Sequence, residues 1–324
     1  MPKEKKKNKM RIRMGRIVTA MIGIVVVMMT VDSIRRDFFK VNSNGKITVD
    51  GNFSIKPNDP PANIASTNGK RKETAVGLED TEMEGFTKYE VAATELSRGY
   101  LVPSTAEKPA MPAENQRTVD LSQYKNEFYS ISGSQMSLNE EAAEALNRLM
   151  ADYHTATELN DFVVYGTTNT YTADGSVCPR AFSENAAGNS VDLAILGYES
   201  LITYDGMDSQ SWVIENCGKY GFIVRYPEDK STVTNQEFCP WHLVYVGQPH
   251  AEIMSRQKLC LEEYVGMLKG YTVESPLIYP AESGNYTIYF EPASGDITPV
   301  RVPIGGGYSI SGNNSDGFIV TAGK

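Results

Sequence analysis

The 324 residues, 41% of them hydrophobic and 22% charged, have the make-up of a folded soluble domain, long enough for one sizeable core plus a tail or small module. The formal net charge of −9 argues against nucleic acid as a partner. Lys3, Lys5, Lys6, Lys7, Lys9, Arg11, Arg13 and Arg16 crowd the first sixteen positions, so the rest of the chain is more acidic than the total.

That basic block runs into Ile17–Val31, fifteen residues without a charge. At about 1.5 Å per residue a helix here spans roughly 22 Å, short of the roughly 30 Å hydrocarbon core. Arg16 and Arg35 can snorkel to the two interfaces, and a bilayer can thin slightly. A cleaved signal peptide competes with an anchor for an apolar run of this length. The following Asp32-Ser33-Ile34-Arg35-Arg36 offers no small-x-small cleavage site. The expectation is a cytoplasmic tail over 1–16, a single-pass membrane anchor over 17–34 and an extracytoplasmic remainder, oriented by the positive charge.

Cys178, Cys217, Cys239 and Cys260 all fall in that exterior part and form no CxxC pair, which disfavours a zinc ribbon or a redox motif. One or two disulfides are permissible in such a compartment, and buried free thiols are the alternative. Residues 35–119 read as a stalk or linker, because Pro57-Asn58-Asp59-Pro60-Pro61 and similar stretches carry few large apolar side chains. Within it Lys46–Val49 has strand character and Lys88–Ser97 that of a short helix. Arg98–Val102 is where docking onto the main domain is expected to begin.

From Ser137 the pattern sharpens. Ser137 and Glu140 have capping-box spacing, and Leu138, Ala142, Ala145, Leu146, Leu149, Met150 and Tyr153 recur at three and four, as on a core-facing helix. Apolar runs at Phe162–Tyr165, Val191–Ile195, Gly221–Tyr226 and Trp241–Val246 read as strands, and Ile253–Leu268 as a helix. Together they give an α+β domain over 120–272 with a small antiparallel sheet. After Pro276, short strand-like pieces alternate with Gly, Pro, Asn and Asp, which predicts a small β-hairpin module over 273–324.

Two stretches resemble the vancomycin-resistance-type (VanY-like) zinc D,D-carboxypeptidases. The first is Ser183-Glu184-Asn185-Ala186-Ala187-Gly188-Asn189-Ser190-Val191-Asp192, similar to that family's S-E-H-x-x-G-x-A-x-D segment. The second runs from Trp212 to Gly247, with its closest agreement over Lys219–Pro227 and Pro240–Gly247. The resemblance covers about 120–270 and implies the D-Ala-D-Ala carboxypeptidase (hedgehog/D,D-peptidase-like) fold.

It also implies a zinc ion held by His, Asp and His, with an open position for a water that a glutamate deprotonates. Asp192 and His242 keep the ligand positions. Asn185 stands where the first histidine is expected, Cys239 where the glutamate is, and Val244 where an arginine is. A second arginine, which would clamp the substrate's terminal carboxylate, maps to Asn169. Ser183, Glu184, Gly188 and Trp241 map to the binding groove.

Asp192 and His242 should converge at the centre of the sheet. A rearranged Cys-His-Asp zinc site drawing on Cys239, with Cys178 as a further donor and Glu237 on the same strand face as stand-in base, is one reading. A dead pocket with no cofactor is the other. His154 and His250 read as solvated or helix-end residues. The functions left open are a degenerate module that binds peptidoglycan peptide or an envelope protein, an altered zinc D-alanyl-D-alanine carboxypeptidase, and a purely structural envelope protein.

Overall fold

The computed structural model describes residues 83–113, 116–133, 136–167 and 183–323, with the backbone of three short strands nearer the N-terminus. The chain divides into two units, residues 1–78 and 79–324. In the first, Lys40–Val41, Ile47–Val49 and Phe53–Ser54 form a three-stranded antiparallel sheet. The anchor expected over 17–34 lies outside the described residues, and among those described no helix is long and apolar enough to cross a membrane.

The second unit opens with β1 (Phe86–Ala92), followed by a 3-10 turn at Ala93–Ser97 where the sequence suggested a helix from Lys88. Next come β2 (Thr118–Asp120), α1 (Leu121–Tyr124), β3 (Ser130–Ile131), β4 (Ser137–Asn139) and α2 (Glu140–Thr157). Ser137 does not cap α2, because it lies in β4 and pairs with Asp120 of β2. The cap is Asn139, whose Oδ1 accepts the Ala142 amide at 3.1 Å and so satisfies an orphan donor of the first turn. Ala142, Ala145, Leu146, Leu149, Met150 and Tyr153 are fully buried on one face of α2, as their spacing predicts.

That face packs on a mixed sheet built from β5 (Phe162–Gly166), β6 (Ser190–Leu196), β7 (Leu201–Thr203), β8 (Phe222–Val224) and β9 (His242–Tyr245). The strand order is β8-β9-β6-β5-β3, with β7 pairing the far half of β6. All pairs are antiparallel except β3 with β5. Alternation along the strands decides the two faces. Val191, Leu193, Leu243 and Phe222 join the α2 core, and Asp192, His242 and Val244 turn to the other side. Each fully buried Leu or Phe in this core contributes on the order of 1.5–3 kcal/mol.

The helix expected over Ile253–Leu268 is two helices, α3 (His250–Gln257) and α4 (Leu261–Leu268). The break falls at Lys258, which takes a left-handed φ of 54° and closes α3 through its own N–H. The C-terminal strands are β10 (Leu277–Ala281), β11 (Gly284–Pro292), β12 (Ile297–Pro303), β13 (Tyr308–Gly312) and β14 (Gly317–Ala322). Four of them form one antiparallel sheet in the order β10-β11-β14-β13.

This sheet is not a separate module. Tyr279, Tyr286, Ile288 and Ile319 share an apolar cluster with Leu261, Tyr264 and Leu268 of α4 and with Ile223 and Val244 of the central sheet. Part of the expected stalk is folded into the same unit. β1 pairs along its whole length with β12, Leu101 and Val102 are buried, and the Leu101 amide donates to Ser311 Oγ at 2.9 Å. Low apolar content hid this segment because main-chain pairing holds much of it.

Candidate functional site

The register of two neighbouring strands brings the two ligand-position residues together. His242 of β9 lies directly opposite Asp192 of β6, and His242 Nδ1 is 2.6 Å from Asp192 Oδ1. Both side chains are buried. On the other flank of β6 the β5 ladder shifts register between Val164 and Gly166, which sets Gly166 against Asp192. A Cβ on Gly166 would collide with Asp192 Oδ2, so only glycine leaves room for the carboxylate.

The Tyr226 ring stacks on the His242 imidazole, with centroids 5.8 Å apart and planes 14° from parallel. Its hydroxyl donates to Glu184 Oε1 at 3.0 Å. Arg225 donates to the same oxygen through Nε at 2.8 Å, and its two terminal nitrogens grip Glu262 at 3.1 and 2.6 Å. Burial alone raises the Glu184 carboxyl, but the Arg225 guanidinium and then His242 outweigh it and hold it below the ordinary carboxylate range. Burial disfavours the Arg225 cation as well, and Glu184 and Glu262 overcome that, keeping it charged. The Tyr226 hydroxyl is pushed up, by burial first and then by Glu184, and stays protonated.

The remaining sequence-predicted positions divide. Asn185 is buried, and its Oδ1 accepts the Ser190 hydroxyl at 2.6 Å. Cys239 is a buried thiol that donates to the Glu237 carbonyl at 3.3 Å and packs with Tyr226 and Trp241. The segment around Glu237 is not a strand, so the shared strand face that would have made Glu237 a stand-in base does not exist. Val244 lies in the apolar cluster with Ile223 and Val246.

Glu184 and Gly188 were expected in a groove. Instead Glu184 is committed to the buried ion network, and the Gly188 carbonyl accepts the Asn139 amide at 2.7 Å. Trp241 is half-buried against Tyr165, Ala194 and Leu201, and its indole N–H has no acceptor among the described residues. Ser183 opens the 3-10 turn that carries Glu184 and Asn185. The Ser183 side chain, Asn169 and Cys178 lie outside the described residues.

Cys217 and Cys260 are buried free thiols, and burial pushes them up to about 12 and about 11. His250 is neither solvated nor at a free helix end. It is buried at the start of α3, with Tyr264 Oη 2.8 Å from Nδ1 and Thr321 Oγ1 2.9 Å from Nε2. His154, in the last turn of α2, stacks on Phe128 and bonds the Leu159 carbonyl.

Residues 152–248 match the family model for D-alanyl-D-alanine carboxypeptidase, VanY. The chain is 40% identical over 143 residues to a D-alanyl-D-alanine carboxypeptidase of Enterococcus faecium, covering 44% of this chain and 45% of that protein. Over this stretch the chain is similar to the VanY family.

The VanY-type likeness extends to a bifunctional D-Ala-D-Ala dipeptidase and D-Ala-D-Ala carboxypeptidase, VanXYC, of Enterococcus gallinarum. That match is 40% identical over 86 residues, covering 25% of this chain and 45% of the relative. The chain thus spans less than half the length of these curated relatives. Among solved structures, the vancomycin-resistance D,D-dipeptidase VanXYg in complex with a D-Ala-D-Ala phosphinate analog superposes with a TM-score of 0.61 at 22% identity. It covers 74% of this chain and 99% of that one, and it supports the α+β peptidase fold.

The VanY resemblance implies zinc, and the donor chemistry tests that implication. Catalytic zinc takes three protein ligands and keeps a fourth position open. Here one carboxylate and one imidazole face each other at hydrogen-bond distance. The third position holds a neutral amide whose oxygen is occupied by Ser190. Among the described residues no three His, Cys, Asp or Glu side chains are grouped to hold a metal ion. These residues do not fit the VanY-type zinc centre.

The sequence reading left Arg225, Tyr226, Glu262 and Ser190 without roles. Arg225 and Tyr226 lie within Lys219–Pro227, where an arginine between strand and proline was the available signal. Glu262 had none, because it comes from a helix remote in sequence.

Proposed function

We propose that this chain is a membrane-anchored, wall-facing D,D-carboxypeptidase-like protein that binds peptidoglycan stem peptide without hydrolysing it through zinc. The observation that carries the reading is the Asn185–Ser190 hydrogen bond beside the Asp192–His242 pair, which leaves the family's third metal position to an amide engaged elsewhere. Two further replacements support it. Cys239 provides no carboxylate at the general-base position, a loss that typically removes roughly 10²–10⁴-fold in rate. Val244 puts an apolar side chain where the resemblance expects an arginine. The anchor is the segment 17–34, and the ligand class follows from the family, whose fold can outlive its chemistry.

The test is made on the full chain in detergent. Zinc content is measured after equilibration with the ion, D-alanine release is followed with a stem pentapeptide, and binding of that pentapeptide is followed by calorimetry. Sub-stoichiometric zinc, no release and saturable binding are expected. Asn185→His with Cys239→Glu should regain zinc more readily than turnover. Turnover by the unmodified chain that chelator and Asp192→Ala both abolish would overturn the proposal, as would absence of binding.

A further inference from the structure

The first strand of the second unit carries its own pairing code. β1 forms a two-stranded sheet with β12 and no other described strand. Its register sets Glu90 opposite Pro299 and Phe86 opposite Pro303. Proline has no N–H to give a ladder, so these are the non-hydrogen-bonded pairs. The flanking bonds agree, since Ala93 N–H reaches Asp296 O and Ile304 N–H reaches Gly85 O. The odd-numbered residues of β1 therefore ladder with β12, and the main-chain groups of Glu90 and its even-numbered neighbours point away from it.

Side chains follow the same parity. Tyr89 stands on the face of buried Val91 and of its partner Val300, yet it remains 54% exposed because no described strand lies beyond it. Lys88 and Glu90 stand on the opposite, solvent face. A second copy of β1 laid antiparallel across a two-fold axis at Tyr89 meets every requirement of this edge. Tyr89 faces Tyr89 and extends the apolar layer of Val91 and Val300, and Lys88 of each copy faces Glu90 of the other. A shift of two residues along one strand brings Lys88 onto Lys88 or Glu90 onto Glu90, and like charges directly opposite are unfavourable.

We propose that the Phe86–Ala92 edge is a self-association surface through which two copies of this chain join β1 to β1 into one continuous four-stranded sheet. Lys88 already takes part in an interaction of its own protomer, and its ammonium serves Glu90 of the second copy in addition. A seven-residue strand per side buries less than a standard interface, so the dimer is weak and concentration-dependent.

Sedimentation velocity of the full chain in detergent, from about 1 to 100 µM, reads the association. Glu90→Lys should weaken it at least about 10-fold by placing Lys against Lys, and Lys88→Glu with Glu90→Lys should restore it to within about 3-fold, as cross-strand pairing of opposite charges requires. Tyr89→Cys should form a disulfide-linked dimer under mild oxidation, because residues of a non-hydrogen-bonded pair have Cβ atoms only about 4.5–5.5 Å apart. A chain that stays monomeric throughout would overturn the proposal, as would equal weakening by the single and double charge variants, or no cross-link through Tyr89→Cys. A segment of the same chain occupying the edge would give the first of these results.

Discussion

Buried His250 makes the stability of this fold depend on pH in a way that can be worked out in advance. Its two ring nitrogens contact Tyr264 on α4 and Thr321 on β14 at 2.8 and 2.9 Å, so it ties the central helices to the C-terminal sheet. Burial pushes its pKa down from 6.5 to about 3. The folded pKa is thus below the unfolded one, and the neutral form is the one the fold accepts. The stability it contributes is complete above pH 6.5 and is lost as pH falls from there toward 3, because the unfolded chain takes up a proton that the folded chain refuses. One pH unit across that window costs at most about 1.4 kcal/mol, so moving from pH 6.5 to 5 removes about 2 kcal/mol. Urea unfolding at pH 7.5, 6.5, 5.5 and 5.0 gives the slope for the full chain, and His250→Gln gives it without the titrating ring. The variant should be about 1–3 kcal/mol less stable at pH 7.5, for lost hydrogen bonds and packing, and its curve should flatten relative to the parent as pH falls. Carboxylates titrate in both proteins, so their effect cancels in the difference. Parallel curves would refute the reasoning.

Two further substitutions probe the site. Arg225→Met strands Glu184 as a buried charge and should cost about 3–5 kcal/mol, whereas adding Glu184→Gln should return part of that in denaturant melts. No recovery in the double variant would mean that the arginine acts through packing alone. Gly166→Ala places a Cβ against the Asp192 carboxylate. It should lower the melting temperature and change the His242 ring NMR signals, while an unchanged His242 signal would show that the ring is not held through Asp192.

The sequence made the framework legible where a single period rules. The apolar face of α2 and the strands of the central sheet follow from three-and-four and two-residue recurrence, and the meeting of Asp192 with His242 follows from the family resemblance. What escaped depended on partners distant in the chain. β1 reads as a polar helix until β12 supplies its ladder. The break between α3 and α4 rests on Lys258 adopting a left-handed conformation that its own type does not announce. Asn139 took the cap from Ser137 because pairing with β2 carried the strand two residues further. His250 looked like a turn residue, and only the fold brings Tyr264 and Thr321 to it.

The same dependence on distant partners explains how the site around Asp192 and His242 is a well-formed piece of structure. Each position where the resemblance expects another residue is matched to a neighbour that suits the side chain present. Asn185 accepts from Ser190, a hydroxyl two residues before Asp192 on the same strand face. Cys239, in place of a charged side chain, fits the apolar contact with Tyr226 and Trp241. Val244 completes a cluster that a guanidinium would have to leave or be paired within. The charges that do remain buried, Glu184 and Arg225, are shared with Glu262 of α4, so the helix that covers the C-terminal sheet also closes the ion network behind the His242 stack. A single substitution is therefore a poor probe of this site. Asn185→His alone leaves Ser190 without its acceptor, and replacing Val244 by arginine alone buries an unpaired cation at a cost of several kcal/mol. Donor and immediate partner are coupled, and Asn185→His with Ser190→Ala should therefore retain stability better than Asn185→His alone, by about 1–3 kcal/mol in denaturant unfolding. Equal stability of the two variants would mean that the Ser190 hydroxyl finds another acceptor and that the Asn185 contact is dispensable.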